Sequence, residues 1–162
     1  MKKNAEEFLF HEAIKYLGKY PATKKKIEEY LQKKIRNKKT YQKAVFPENI
    51  EKDELVKSTV AKLDELKIIN ENDYLESMFH YYQKSYFSIR KIKNKLYQKG
   101  FEQKTIDNFI LNQFQEDPDL EVKILKKYIQ KKKIGSLELS QLKKKLYQQS
   151  FNENSIFKII KE

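Results

Sequence analysis

Apolar residues recur three or four positions apart along most of the chain, with charged and amide residues between them. This spacing places the apolar side chains on one face of a helix and predicts a series of amphipathic helices. Ile92 and Leu96 share such a face, and Gly100 stands where their helix should stop, because glycine readily takes the left-handed conformation of a helix end. Phe101 is then expected to enter the core, and Ile106 begins the apolar stripe of the next helix.

The same pattern occurs again near the end of the chain. Residues 142–151 align without a gap with residues 92–101, and the apolar positions that follow them also coincide. This self-similarity is the mark of an internal repeat. Ser150 replaces Gly100, so the helix end is less well specified in the later copy. The equivalent apolar residues are all predicted to be buried: Leu96, Phe101, Ile106, Leu146, Phe151 and Ile156.

A weaker copy of the pattern precedes these two. Ile27 and Leu31 match the helix, while Ile50 and Leu55 match the corner and the next helix. The spacing between helix and corner is longer here, because a segment of about residues 35–49 intervenes. This insertion contains Arg36, Lys38, Lys39, Lys43 and Pro47. It is either an extended helix with a basic loop or a flexible arm, and simple variation in loop length also accounts for it.

Each copy needs one more helix to enclose a core, and a candidate lies upstream of each. The apolar stripes of these helices are Phe8, Ala13, Ile14 and Leu17; Tyr74, Met78, Tyr81 and Tyr82; and Leu120, Ile124, Leu125, Tyr128 and Ile129. Thr23 and Ser88 are placed to cap the middle helices of the first two copies. The fold predicted is all-α, with three tandem three-helix (helix-turn-helix-like) repeats at residues 5–70, 71–115 and 117–162. Such repeats contact mainly their neighbours, which predicts an elongated, curved body.

The composition agrees with an all-α fold. Only 3 Gly and 3 Pro occur, too few for the turns of a sheet protein. The 11 Tyr and 10 Phe exceed what a disordered chain carries. The absence of Cys excludes disulfides, thiolate catalysis and zinc fingers. No apolar run approaches the about 18 residues of a membrane span, and the charged start lacks an apolar signal segment. We therefore expect a cytoplasmic, monomeric protein without a membrane partner.

Nothing in the sequence points to catalysis, so we expect neither enzyme activity nor a cofactor. Three scattered glycines cannot build a nucleotide-binding loop. His11 and His80 lack a histidine or cysteine partner at helical spacing, which argues against a metal site. The carboxylates fall in clusters such as residues 51–54 and 116–121, the second of which ends at Glu121. These clusters are typical of exposed helix starts, where negative charge meets the positive end of the helix dipole.

Four basic clusters stand out, and equivalent helices carry three of them. The candidate binding residues are Lys24, Lys25, Lys26, Arg90, Lys91, Lys93, Lys95, Lys131, Lys132, Lys133, Lys143, Lys144 and Lys145. If the repeats stack regularly, these cations form a broken basic stripe suited to a phosphate backbone or an acidic groove. The net charge of +12 favours a polyanionic partner. Two alternatives stay open: a solvated face, and a lysine excess that reflects the codon bias of an AT-rich genome.

Two tyrosines recur directly after the core leucines, at Tyr97 and Tyr147. We predict that they pack at the edge of the core with the hydroxyl in water. Stacking on nucleic-acid bases is the alternative.

Over nearly its whole length, the chain resembles the RecX family of recombinase regulators. Residues 66–74 resemble that family's junction between its first two repeats, where a leucine-rich helix ends, a short acidic turn follows and an aromatic residue opens the next helix. The spacing from Tyr74 to Ile92 also fits, as do the corner at residues 99–101 and the ending at residues 151–160. The resemblance lies in this threefold register and not in any single motif.

The chain also departs from the family. His80 and Tyr82 stand where arginines are common, Ser88 replaces a common glycine, and the insertion in the first repeat is unusual. These departures leave the predicted fold unchanged, but contacts of individual residues are not carried over from relatives.

The resemblance implies a partner and an activity. Members of the family bind the RecA recombinase, dock in the helical groove of RecA filaments on DNA and restrain ATP hydrolysis, strand exchange and co-protease action. The chain is therefore expected to regulate recombination, DNA repair and the SOS response, with weak, non-specific binding to DNA. The alternative is a nucleic-acid-binding helical protein without sequence specificity, since base reading favours Arg, Asn and Gln whereas the clusters here are nearly all Lys. A passive helical scaffold is a third possibility.

Overall fold

A computed structural model of the chain describes residues 3–37, 39, 44–46 and 51–161. The chain packs as two compact units, Met1–Tyr74 and Leu75–Glu162. Nine helices occupy most of the described residues. The predicted all-α class is thereby confirmed, while the division into three repeats stays a prediction. Within the described ranges, none of the helices combines the length and the apolar character needed to cross a membrane.

The first unit is built on three helices and one short strand pair. Its elements are β1 (Lys3–Asn4), α1 (Ala5–Leu17), α2 (Lys24–Arg36), β2 (Ala44–Val45) and α3 (Lys52–Glu65). The strands pair in parallel, with Lys3 opposite Ala44 and Asn4 opposite Val45. Apolar faces of the three helices enclose a core in which Leu9, Ile27, Leu31, Val56 and Leu63 are fully buried.

The insertion predicted at residues 35–49 is described only in part. Helix α2 ends at Arg36, and the side chain of Ile35 is buried in the core of the first unit. Lys38, Lys43 and Pro47 lie outside the described residues.

Six further helices follow in the described part of the chain, and all of them lie in the second unit except for the first residues of the earliest one. These are α4 (Glu71–Lys84), which begins at the end of the first unit, then α5 (Ile89–Gln98), α6 (Gln103–Glu116), α7 (Leu120–Lys132), α8 (Leu139–Gln148) and α9 (Glu153–Ile160). All six apolar residues that the repeat alignment singles out are buried, as predicted. One predicted core residue is wrong: Tyr81 is 62% exposed, because the buried stripe of α4 runs through Leu75, Phe79 and Tyr82.

Five helix ends share one geometry. A residue with positive φ follows the helix, and the apolar residue after it donates its backbone N–H to the carbonyl five positions earlier. Phe101 bonds Leu96 in this way at 3.4 Å, and Phe151 bonds Leu146 at 3.3 Å. The positive-φ residues are Lys67, Tyr86, Gly100, Lys133 and Ser150. Ser150 thus adopts the left-handed conformation that Gly100 adopts in the earlier copy, although it carries a side chain.

The predicted helix caps are confirmed. The hydroxyl of Thr23 accepts the backbone N–H of Lys26 at 3.3 Å, and that of Ser88 accepts the backbone N–H of Lys91 at the same distance. Ser88 also donates its hydroxyl to the carbonyl of Gln149 at 2.8 Å. These bonds satisfy amides that have no partner within the helix and fix where α2 and α5 begin.

Candidate functional site

The basic cluster at the start of α2 is largely engaged with carboxylates of the first unit. The ammonium group of Lys24 lies 2.7 Å from Asp64, and that of Lys26 lies 3.2 Å from Glu29. The backbone N–H of Lys24 donates to the carboxylate of Glu71 at 2.6 Å, which places a negative charge at this helix start. Since lysines are unfavourable next to the positive end of a helix dipole, these carboxylates offset the cost of the cluster. Lys25 is exposed.

The basic residues of α5 form one cluster in the sequence, but they differ in their contacts in the structure. Lys93 lies 2.9 Å from Asp107, and this hydrogen bond, together with one from Gln103, holds the pKa of the Asp107 carboxyl below its ordinary value. Lys91 donates to the side chain of Gln149 at 3.2 Å and lies 4.7 Å from the ring centre of Phe87. These two lysines therefore help to hold the second unit together, whereas Arg90 is exposed.

The clusters on α7 and α8 are more accessible. Lys131, Lys132 and Lys133 are all exposed at the carboxyl end of α7, where positive charge is favourable with the helix dipole. Lys144 and Lys145 are exposed on α8. The third lysine of that cluster, Lys143, is half-buried, and its ammonium group lies 5.6 Å from the ring centre of Phe157.

The predicted cations thus divide into two groups. Those on α2, together with Lys91, Lys93 and Lys143, have partners within the protein. The others make no ion pair with any described residue, and we call them the available cations: Arg90, Lys95, Lys131, Lys132, Lys133, Lys144 and Lys145. A polyanion can meet an available cation without displacing an internal carboxylate, so this second group is the stronger candidate for partner contact.

Both recurrent tyrosines lie at the surface. Tyr97 is 56% exposed and Tyr147 is 45% exposed. The hydroxyl of Tyr147 donates to the carboxylate of Glu153 at 3.4 Å. Desolvation and, to a lesser degree, the nearby Glu153 charge raise the pKa of Tyr147. Packing at the core edge and stacking on a base are both compatible with these exposures.

The structure corrects the prediction that the carboxylates of residues 116–121 are exposed. Glu121 is only 4% exposed. It accepts the backbone N–H of Ile89 at 3.0 Å, the backbone N–H of Asn152 at 3.2 Å and the hydroxyl of Ser155 at 2.8 Å. A signal for this burial was present, since Glu121 stands four positions before Leu125 and shares its face of α7. Within the described ranges, no group of three or more potential ligands could hold a metal ion.

Comparison with known proteins identifies a protein that is similar in sequence to this chain. No family model matches the sequence, and no solved structure matches it at a significant level. The chain is similar to the regulatory protein RecX of Caldanaerobacter subterraneus subsp. tengcongensis, with 26% identity over 108 residues that make up 67% of this chain. The match covers 54% of that relative, so this chain spans about half the length of the protein it matches.

Proposed function

We propose that this chain is a regulator of the RecX type, which binds the RecA–DNA filament and inhibits ATP hydrolysis, strand exchange and co-protease action by RecA. The observation that carries the proposal is the similarity to a regulatory protein RecX over 67% of the chain. The family pattern in the junction, the corners and the ending of the sequence agrees with this similarity. On this proposal the protein acts in the cytoplasm as a monomer, by binding and not by catalysis.

The proposal includes an architecture of three tandem three-helix repeats at residues 5–70, 71–115 and 117–162, which form an elongated, curved body. Two recurrent features support it. Leu55, Ile106 and Ile156 are each buried at the fourth position of a helix. In addition, Glu71 accepts an amide at the start of α2, and Glu121 does the same at the start of α5. A repeating body of this kind can span several protomers of a filament groove.

The available cations are the proposed contact with the filament. They are side chains whose charge is not neutralised by a described carboxylate, and most of them are lysines. A lysine ammonium is a point charge that suits phosphates or scattered carboxylates better than base edges. The contact should therefore depend on charge more than on DNA sequence.

The test is a titration of the cognate RecA, pre-assembled on single-stranded DNA, with increasing amounts of this protein while ATP hydrolysis is followed. Sub-stoichiometric amounts should slow hydrolysis, because one elongated molecule restrains more than one protomer. A pull-down of RecA with and without DNA and ATP should show capture of the filament. If a molar excess leaves hydrolysis unchanged and captures no RecA, the proposed function is wrong.

A nucleic-acid-binding role without RecA is the second candidate, and the exposed lysines of α7 and α8 favour it. Binding to a duplex should then fall steeply between low and moderate salt, because counterions are released when lysines neutralise phosphates. Natural and scrambled duplexes should bind alike. Tight binding to DNA alone, combined with no effect on RecA, would select this function.

A further inference from the structure

The second unit carries a groove of about 790 Å³ between α6 and the corner that joins α8 to α9. Ile110, Leu111 and Phe114 of α6 form one wall, and Tyr147 and Phe151 form the facing wall. Leu111 is 56% exposed and Tyr147 is 45% exposed, although both are large and apolar or aromatic. The volume falls within the range of about 300–1,000 Å³ that is typical of clefts that bind ligands. Two exposed apolar side chains that face one concavity leave apolar surface in water, which a bound partner would cover.

The carboxylates that line this groove have hydrogen-bond donors within the protein, whereas the arginine that lines it has no acidic partner among the described residues. Its carboxylates accept hydrogen bonds from the protein: Asp107 from Lys93 and Gln103, Glu121 from two backbone amides and Ser155, and Glu153 from Tyr147. Arg90, which also lines the groove, is exposed and forms no ion pair with a described residue. The guanidinium group presents donors in a planar fork that fits a carboxylate. The groove therefore combines apolar walls with one cation that has no acidic partner in the described part of the chain.

We propose that this groove binds a peptide segment of a partner protein in which a large apolar side chain stands next to a carboxylate. The apolar side chain would lie between Leu111 and Tyr147, and the carboxylate would meet Arg90. Aromatic side chains and arginines are enriched among the residues that carry most of the binding energy of protein interfaces. The inference goes beyond the proposed function, because it specifies the chemistry of the segment and does not require that RecA supplies it.

A nucleic acid fits this groove less well. Asp107 and Glu153 also line the groove, and they would repel a phosphate backbone that approached Arg90. A protein segment that carries a single carboxylate avoids most of this repulsion.

Nuclear magnetic resonance titration of the full chain tests the proposal with defined probes. The first probe is a blocked tripeptide with one carboxylate, Leu-Phe-Asp, and the second is its basic counterpart, Leu-Phe-Lys. The acidic peptide should shift the amide signals of Leu111, Phe114 and Tyr147 in a saturable manner, and the basic peptide should bind more weakly. Arg90→Glu and Leu111→Asp should each lower the affinity for the acidic peptide by about tenfold, the usual loss when a central interface contact is removed.

Matched variants test whether the peptide binds in the groove and not to the protein surface in general. Leu139→Asp replaces a leucine that is 52% exposed outside the groove, and Lys131→Glu reverses an available cation outside it. Both should bind the acidic peptide like the native chain, and circular dichroism should show that all four variants keep their helices. The proposal is overturned if the acidic peptide causes no saturable shift at the groove, if the basic peptide binds equally well, or if the control variants weaken binding as much. Displacement of the peptide by a short oligothymidylate would identify the groove as a nucleic-acid site and would also overturn it.

Discussion

The carboxylate of Glu121 lies 3.0 Å from the backbone nitrogen of Ile89, so a side chain of α7 caps the start of α5, a helix that begins 32 residues earlier in the chain. The same carboxylate also holds the start of α9 through Asn152 and Ser155. A buried charge is tolerated only when donors surround it, and here two helix starts supply them. Glu121 thus connects three helices of the second unit.

Removal of this carboxylate should be costly. Glu121→Ala leaves the buried amide of Ile89, the amide of Asn152 and the hydroxyl of Ser155 without their acceptor, and we expect a loss of about 3 kcal/mol in the free energy of unfolding. Glu121→Gln keeps one acceptor oxygen and should lose less. Urea denaturation followed by circular dichroism measures both changes. Glu116→Gln, at an exposed position of the same acidic cluster, is the control and should be nearly neutral. Equal stability of Glu121→Ala and the native chain would contradict the role assigned to the carboxylate.

Lys67 is held at a φ of 58° at the corner after α3, a conformation that strains a residue with a Cβ. Lys67→Gly should therefore stabilise the protein by up to about 1 kcal/mol, since glycine adopts this conformation without strain. Lys57→Gly provides the control, because Lys57 is also exposed but lies inside α3, where glycine should cost about 1 kcal/mol. Thermal unfolding of both variants should give shifts of opposite sign. A loss of stability in Lys67→Gly would show that the side chain contributes more than its strain costs.

The repeat alignment makes Phe151 a core residue, and its ring is 4% exposed and lies 5.4 Å from the ring of Tyr128. Phe151→Ala should cost about 3–5 kcal/mol, the usual range for a buried ring. Phe157→Ala is the matched control, because Phe157 is 40% exposed. Its loss should be well under half as large. Chemical denaturation of the two variants side by side decides the matter, and similar losses would contradict the assignment of Phe151 to the core.

Glu12 and Lys34 should make stability depend on pH in the acid range. Burial tends to raise the pKa of Glu12, but Lys34 at 2.9 Å and Lys15 at 3.4 Å outweigh it and hold that pKa below the ordinary value of 4.5. A carboxyl with a lowered pKa in the folded state stabilises the protein above pH 4.5, and this contribution is lost as the pH falls through the folded value. Glu12→Gln should therefore show a smaller fall in unfolding free energy below pH 4.5 than the native chain. Identical pH profiles would show that the pair contributes nothing to stability.

Reversal of the available cations on α8 should weaken the proposed inhibition of RecA. Lys144→Glu with Lys145→Glu replaces attraction by repulsion while it breaks no ion pair among the described residues, so helical content should be unchanged. Lys57→Glu with Lys67→Glu alters the net charge equally on the first unit and should inhibit like the native chain. The difference should shrink as salt rises, because the screening length is about 10 Å at 0.1 M. ATPase titration at two salt concentrations checks this. Equal inhibition by both double variants would show that Lys144 and Lys145 do not contact the filament.

The features that depend on near neighbours can be predicted from the amino-acid sequence alone. The helical class, the caps at Thr23 and Ser88 and the burial of Leu96, Phe101 and Ile106 all follow from apolar spacing and from side chains that bond amides three residues away. Such interactions form within one helix or one corner, so their residue types are visible in the local pattern.

Which cations lack an acidic partner among the described residues depends on how the helices pack. The sequence places Lys91, Lys93 and Lys95 in the same cluster as Arg90, yet Lys93 pairs with Asp107 and Lys91 meets Gln149. It also gives Glu121 the same acidic surroundings as its exposed neighbours, although the carboxylate is buried between two helix starts. These outcomes depend on which helices approach one another and how each is rotated. Periodicity assigns each helix an apolar face but does not specify its partner, so charge pairing appears only once the helices have packed.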